Sequence, residues 1–177
     1  MRTLSVLFVV GLASALPVGA GRATGIDAVS LEVPLVRQAP ERCGPAALLM
    51  VLRGYGAGAD AERVADRAYD PALKGTLITD LAAAARSAGY SAEIETLDPP
   101  DLVAQLRRGV PPIVLIQNGS GPLTVKHYAV VTGWDPSRAE FTLNDGGDHA
   151  RTVGAAEFDR RWKGAGMQAL LVKRRER

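Results

Sequence analysis

The chain predicts an α+β fold, with helices gathered early and an antiparallel sheet later. Three observations predict it. Between residues 43 and 88 the apolar residues fall in Ala- and Leu-rich stretches closed by glycines, as helices do. From residue 91 onward, short β-branched runs are separated by turn residues, as strands are. The two patterns do not alternate in the regular way of a parallel βαβ sheet. At 177 residues the chain fits one domain and can bury a core without disulfide staples.

The N-terminus reads as an export signal over residues 1–23. Arg2 supplies the positive start, and an apolar stretch runs from Leu4 to about Leu16. Small residues follow in Val18-Gly19-Ala20 and Gly21-Arg22-Ala23, either of which suits a cleavage site. The stretch is shorter than the ~20 residues of a membrane span. No cysteine follows it, which argues against a lipid anchor. Residues 24–30 read as a linker and 31–177 as the folded domain. The expected location is periplasmic or secreted, with membrane association left open, and the chain is expected to be bacterial and monomeric.

The elements of the domain follow in order. Leu31 to Val36 is extended. Pro45 to Leu52 is apolar all round, which suits a helix buried in a core and stopped by Gly54 and Gly56. Asp60 can cap a second helix through about Tyr69, with Val64 and Ala68 inward. Leu77 to Ala88 is a third, closed by Gly89. Ser91 to Thr96 alternates as a strand. Asp98-Pro99-Pro100 starts a helix that ends at Gly109, because proline loses no hydrogen bond in a first turn. Ile113 to Ile116 is a buried strand. His127 to Gly133 is another, with Glu140 to Leu143 its hairpin partner across Asp135-Pro136-Ser137-Arg138. Ala155 to Lys163 is helical, and Gln168 to Val172 is a closing strand.

Charge excludes some functions. The formal net charge is +2, so nothing marks a nucleic-acid partner. The basic end Lys173 to Arg177 is short and reads as solvated. No spacing of His127, His149, Asp145 and Asp148 supports a metal site, and no cofactor motif is present; Gly54-Tyr55-Gly56-Ala57-Gly58 lacks the Gly-Lys-Ser/Thr of a phosphate loop.

The chemistry centres on Cys43, the one cysteine in the chain. A solitary thiol in an exported protein has no disulfide partner, so it is either inert or kept for reactivity. Here it stands at the start of an apolar helix, where unpaired amides and the positive dipole end favour thiolate. Gly44 is expected to leave room for a substrate backbone, and Arg42 to add a small screened charge. Gln38, five residues upstream, can offer its amide to an oxyanion together with the Cys43 N–H. His127 heads a strand on which Ala129, Val131 and Gly133 share its face. His149 lies in a glycine-rich loop with no strand to hold it. Three residues compete to orient the imidazole: Asp145 first, then Asn144, then Asp135, which sits at the far end of the strand. Cys, His and Asp in this order form a candidate catalytic triad.

At these residues the chain resembles the bacteriocin-processing (double-glycine) peptidase family, a branch of the papain-like cysteine peptidases. Gln38, four residues, then Cys43-Gly44-Pro45-Ala46-Ala47-Leu48 looks like its nucleophile motif. His127-Tyr128-Ala129-Val130-Val131-Thr132-Gly133 looks like its histidine strand, and Asn144-Asp145 like its Asn-Asp pair. Arg42 stands where the family usually has an acid, and Gly146 where it usually has proline. The resemblance implies a papain-like fold, with N-terminal helices carrying the cysteine and a C-terminal sheet carrying His and Asp. It implies Cys43 as nucleophile, His127 as base, Asp145 as orienting acid and Gln38 in the oxyanion hole. It further implies a peptide or protein substrate, cleavage after small residues such as Gly-Gly, and an optional association with a membrane secretion system. Two other functions share this constellation: a peptide-binding module that does not cut, and an acyl transferase.

Overall fold

A computed structural model describes residues 27–175 except Ser120. The expected signal, residues 1–23, and the first residues of the expected linker lie outside it. The order of elements is β1 (Val29–Ser30), α1 (Cys43–Gly54), α2 (Asp60–Asp66), α3 (Ile78–Ser87), β2 (Ser91–Thr96), α4 (Pro99–Arg107), β3 (Ile113–Asn118), β4 (Val125–Asp135), β5 (Glu140–Asn144), β6 (Arg151–Gly154), α5 (Ala155–Lys163) and β7 (Gln168–Lys173). A single 3-10 turn, Gly121–Leu123, precedes β4. The strands form one sheet in the order β2-β7-β3-β4-β5-β6, with β1 added beside β4. Every pairing is antiparallel. The α+β reading is right.

Period-two alternation divides the sheet between two cores. Ile113, Tyr128, Val130, Leu170 and Val172 face α1, α2 and α3. Val114, Ala129, Val131, Ala169 and Leu171 face α4 and α5. The first core is built from alanine and leucine, and α1 is buried continuously from Gly44 to Leu52. That all-round burial explains why its sequence shows no polar face. The second core is aromatic. Trp134, Phe141, Phe158 and Trp162 form a chain of tilted contacts with centroids 4.5, 4.6 and 5.5 Å apart. The Trp162 indole donates to the Gln168 carbonyl at 3.0 Å, which joins α5 to the start of β7.

Several local expectations hold in detail. Asp98 caps α4 by accepting from the Asp101 N–H at 2.8 Å, with prolines in the first turn. Gly89 and Gly109 follow their helices with positive φ, 89° and 76°. Others need correction. The N-cap of α2 is Ala59, not Asp60, whose carboxylate instead accepts from Arg63 one turn on. That helix stops at Asp66, because Ala68 and Tyr69 bond three residues back in tightened turns. Val29 and Ser30, inside the expected linker, pair with Trp134 and Gly133. The edge strand β6 was not expected: of its four residues only Val153 is buried, too little to make a pattern.

Two features position the site. Helix α1 packs on β4 with its N-terminus near the start of that strand. The pairing of β4 with β5 ends at Val130 and Asn144. His127 therefore pairs only with Ile116 of β3, and on its other side β5 has already given way to a loop, Asp145 to Ala150. Alternation alone would send His127 toward the α4–α5 core with Ala129 and Val131. The open edge lets its ring lie among the loop and the tip of α1 instead.

Candidate active site

Cys43 is the first residue of α1, and no side chain caps the helix there. The backbone N–H of Gly44 and that of Tyr128 both point to the sulfur. Burial pushes the thiol pKa up. The hydrogen bond from His127, the Tyr128 and Gly44 amides and the His127 charge outweigh it, and the net shift is downward. His127 shows the complementary effect. Burial lowers its pKa, but the hydrogen bond and charge of Cys43, then the Asp145 carbonyl and carboxylate, raise it overall. Opposite shifts in two touching groups favour a thiolate–imidazolium pair.

The ring is held from its other side by a main-chain group. Nε2 lies 2.9 Å from the Asp145 carbonyl oxygen, which can only accept, so this nitrogen carries a proton. That leaves Nδ1 for the sulfur. The Asp145 carboxylate is turned away and pairs with Arg151 at 3.0 Å. Asp145 thus lies beside His127, but the contact is made by its carbonyl rather than its carboxylate. The carboxylate acts on the ring through its field. Asn144 is buried and spends its amide on the Val33 carbonyl at 3.0 Å, tying β5 to the segment before Gln38. Asp135 is occupied in its own turn, accepting from the Ser137 N–H at 2.9 Å. His149 is exposed in the loop.

Gln38 lines the same cleft as Cys43 and His127, a space of about 690 Å³. Its backbone N–H donates to the Gly146 carbonyl at 3.1 Å. Its side chain lies on the Gly146 α-carbon, with Oε1 buried and unpartnered. The turn between Gln38 and Cys43 is braced from α2. Arg42 bonds Asp66 at 3.0 Å and stacks its guanidinium 3.9 Å from the centre of the Tyr69 ring. Its charge is therefore directed to α2 and does not reach the thiolate as expected. Glu41 takes a left-handed φ of 64° and accepts from the Tyr69 hydroxyl at 3.2 Å. That strained residue sets the entry of the chain into Cys43.

Gly44 serves a different purpose from the one expected. A Cβ there would fall 2.8 Å from Thr76 Cβ. The room is filled by the segment before α3, whose Thr76 carbonyl accepts from the Tyr128 hydroxyl at 3.3 Å. Thr76, Leu77, Val125 and Lys126 complete the cleft beside Cys43 and His127. Sequence reasoning missed Thr76 and the Tyr128 amide. Tyr128 adjoins the histidine and could have been inferred, whereas nothing in the local sequence marks Thr76.

The family model described as Peptidase_C39 like family matches residues 30–170. The chain belongs to this family. Solved structures of similar fold include a double glycine motif protease from an AMS/PCAT transporter, in complex with its leader peptide. It is 24% identical, with a TM-score of 0.64, over 83% of this chain and 95% of that one. A C39-like peptidase from Bacillus anthracis is 17% identical with a TM-score of 0.70, over 85% and 100% of the two chains. The peptidase domain of Streptococcus ComA, a bifunctional ABC transporter of a quorum-sensing pathway, is 19% identical, with a TM-score of 0.63, over 81% and 100%. No curated protein matches by sequence. The C39 papain-like fold is the architecture of this chain: helices α1–α3 carry the cysteine and the antiparallel sheet carries the histidine.

Proposed function

We propose that this C39-family chain is an exported cysteine peptidase that cleaves a peptide or protein through Cys43, His127, Asp145 and Gln38. One observation carries the reading. Cys43, at the tip of α1, shares one cleft with His127 and Gln38, and His127 Nε2 is held by the Asp145 carbonyl at 2.9 Å, which leaves Nδ1 for the sulfur. A structural cysteine has no need of that arrangement.

The chemistry follows from the groups present. The Cys43 thiolate attacks the scissile carbonyl, and the carbonyl electrons move onto oxygen. The Cys43 N–H and the Gln38 amide donate to that oxyanion. The imidazolium passes its proton to the leaving amine as the C–N bond breaks. His127 then removes a proton from water, which attacks the thioester and frees the acid and the thiol. The Asp145 carbonyl holds one ring orientation throughout. A preference for small residues before the scissile bond comes from the family resemblance. Thr76, packed on Gly44, supports it by narrowing the space next to the nucleophile.

The test is alkylation of Cys43 against pH in the wild type and in His127→Ala, run beside cleavage of Gly-Gly-containing peptides. A rate that persists below the ~8.5 of a free thiol, and returns to normal without His127, supports the ion pair. Peptide cleavage lost in Cys43→Ala supports the peptidase. An unreactive thiol favours a binding module. Product trapped by an added amine in place of water favours acyl transfer.

A further inference from the structure

We infer that Gly146 is a positioning residue that seats the oxyanion donor Gln38 and, with Asp145, links it to the base; this rests on the peptidase reading above. Gly146 is buried and has a φ of +83°, in the left-handed region. A Cβ at this position would lie 2.5 Å from Gln38 Oε1 and 2.7 Å from both its Cδ and Cγ. Three consecutive atoms of one side chain occupy the place of the missing methyl. The Gln38 carboxamide therefore lies against the glycine, and its direction into the cleft is set there. The Gly146 carbonyl also accepts from the Gln38 N–H, at 3.1 Å. The preceding carbonyl, that of Asp145, holds His127 Nε2 at 2.9 Å. Two successive carbonyls of one dipeptide thus fix the base and the oxyanion donor relative to each other. An exposed Arg37–Asp148 ion pair closes the same two strips of chain just outside.

The consequence is specific. When a methyl is added at residue 146, the flexible Gln38 side chain gives way before the backbone does. The carboxamide swings out of the cleft while the Cys43–His127 pair is left in place. Gly146→Ala should therefore lower kcat to the level of Gln38→Ala, a loss of about 10²–10³-fold for one oxyanion donor. It should leave KM and the pH dependence of Cys43 alkylation near wild type, because alkylation forms no oxyanion. The double variant Gln38→Ala/Gly146→Ala should be no slower than either single one. Affinity for a peptide aldehyde, which adds the thiol to give a tetrahedral adduct, should fall in parallel with kcat.

Three results would overturn the inference: Gly146→Ala with full kcat, losses that multiply in the double variant, or an alkylation profile that shifts as far as kcat falls. Thermal unfolding guards against a trivial loss. If Gly146→Ala unfolds but the double variant is folded, the contact with Gln38 is the cause. If both unfold, the glycine serves only its backbone angle and the inference fails. Failure of the peptidase reading would show in the wild type itself, which would then cut nothing; the aldehyde series would still decide the role of Gly146.

Discussion

The β4–β5 hairpin has an aspartate near each end, and the two are held by opposite kinds of contact. Asp135 is satisfied within its own turn. It accepts from the Ser137 N–H at 2.9 Å, the Ser137 hydroxyl at 2.6 Å and the Arg138 N–H at 3.4 Å. Hydrogen bonds from Ser137 draw its pKa down despite some desolvation. Asp145 is held by groups outside its own turn. Its carbonyl binds His127, 18 residues away, and its carboxylate binds Arg151. The next residue binds Gln38. One end is a turn that its own four residues can build. The other exists only after α1, β4 and the segment before Gln38 have met. The candidate site belongs to the end that no local segment can form.

Substitutions sharpen this contrast, and the largest effect is expected at the nucleophile. Cys43→Ala should abolish peptide cleavage, a loss on the order of 10⁴–10⁶-fold, with the fold retained by circular dichroism. A substantial residual rate would remove Cys43 from the mechanism.

The next effect is at the base. His127→Ala should reduce alkylation of Cys43 at pH 6 by about 10–100-fold, as the thiol returns toward ~8.5. The sign follows from the two shifts. The thiolate forms above a lowered Cys43 pKa, and the ring stays charged below a raised His127 pKa. Cleavage should therefore rise through the first and fall through the second, giving a bell. The raised His127 pKa also adds stability below the ring's ordinary 6.5, lost as pH rises through the folded value. An alkylation profile whose acid limb stays in place in His127→Ala would sink the ion pair.

A smaller effect separates the two groups of Asp145. Asp145→Asn keeps the carbonyl that orients the ring and removes only the carboxylate field. It should lower kcat about 10-fold, far less than the ~10⁴-fold known where a carboxylate itself holds the histidine. A loss of the larger size in steady-state kinetics would show that the carboxylate, not the carbonyl, carries the orientation.

The smallest effect is expected at the other end. Asp135→Ala should lower the melting temperature slightly and leave Cys43 alkylation unchanged. Because the folded pKa of Asp135 is depressed, its contribution is complete above the ordinary 3.8 and is lost as pH falls through the folded value. A change in thiol reactivity here would erase the distinction between the two ends.

Much of this was legible in the sequence because it is local. The glycine-stopped apolar run Pro45 to Leu52, the Asp98-Pro99-Pro100 start and the Asp135 turn are settled by neighbours a few residues apart. The residue types Gln38, Cys43, His127 and Asp145, in order, marked the candidate site. Edge strand β6 was missed because one buried valine makes no period. Asp60 was misread because a carboxylate can serve Arg63 as readily as a cap.

The sequence by itself determined the class of fold, the order of its helices and longer strands and which side chains could do chemistry. The tertiary structure alone decided how they are arranged: that Asp145 reaches the ring through its carbonyl, that Asn144 is spent on Val33, that Thr76 fills the space over Gly44, and that Gly146 makes room for Gln38. The reason is physical. Residue type fixes what a group can donate or accept, and near neighbours fix a turn or a cap. Which donor meets which acceptor across a cleft depends on where β5 ends and how closely two backbones approach, and both are set by packing between segments far apart in the chain.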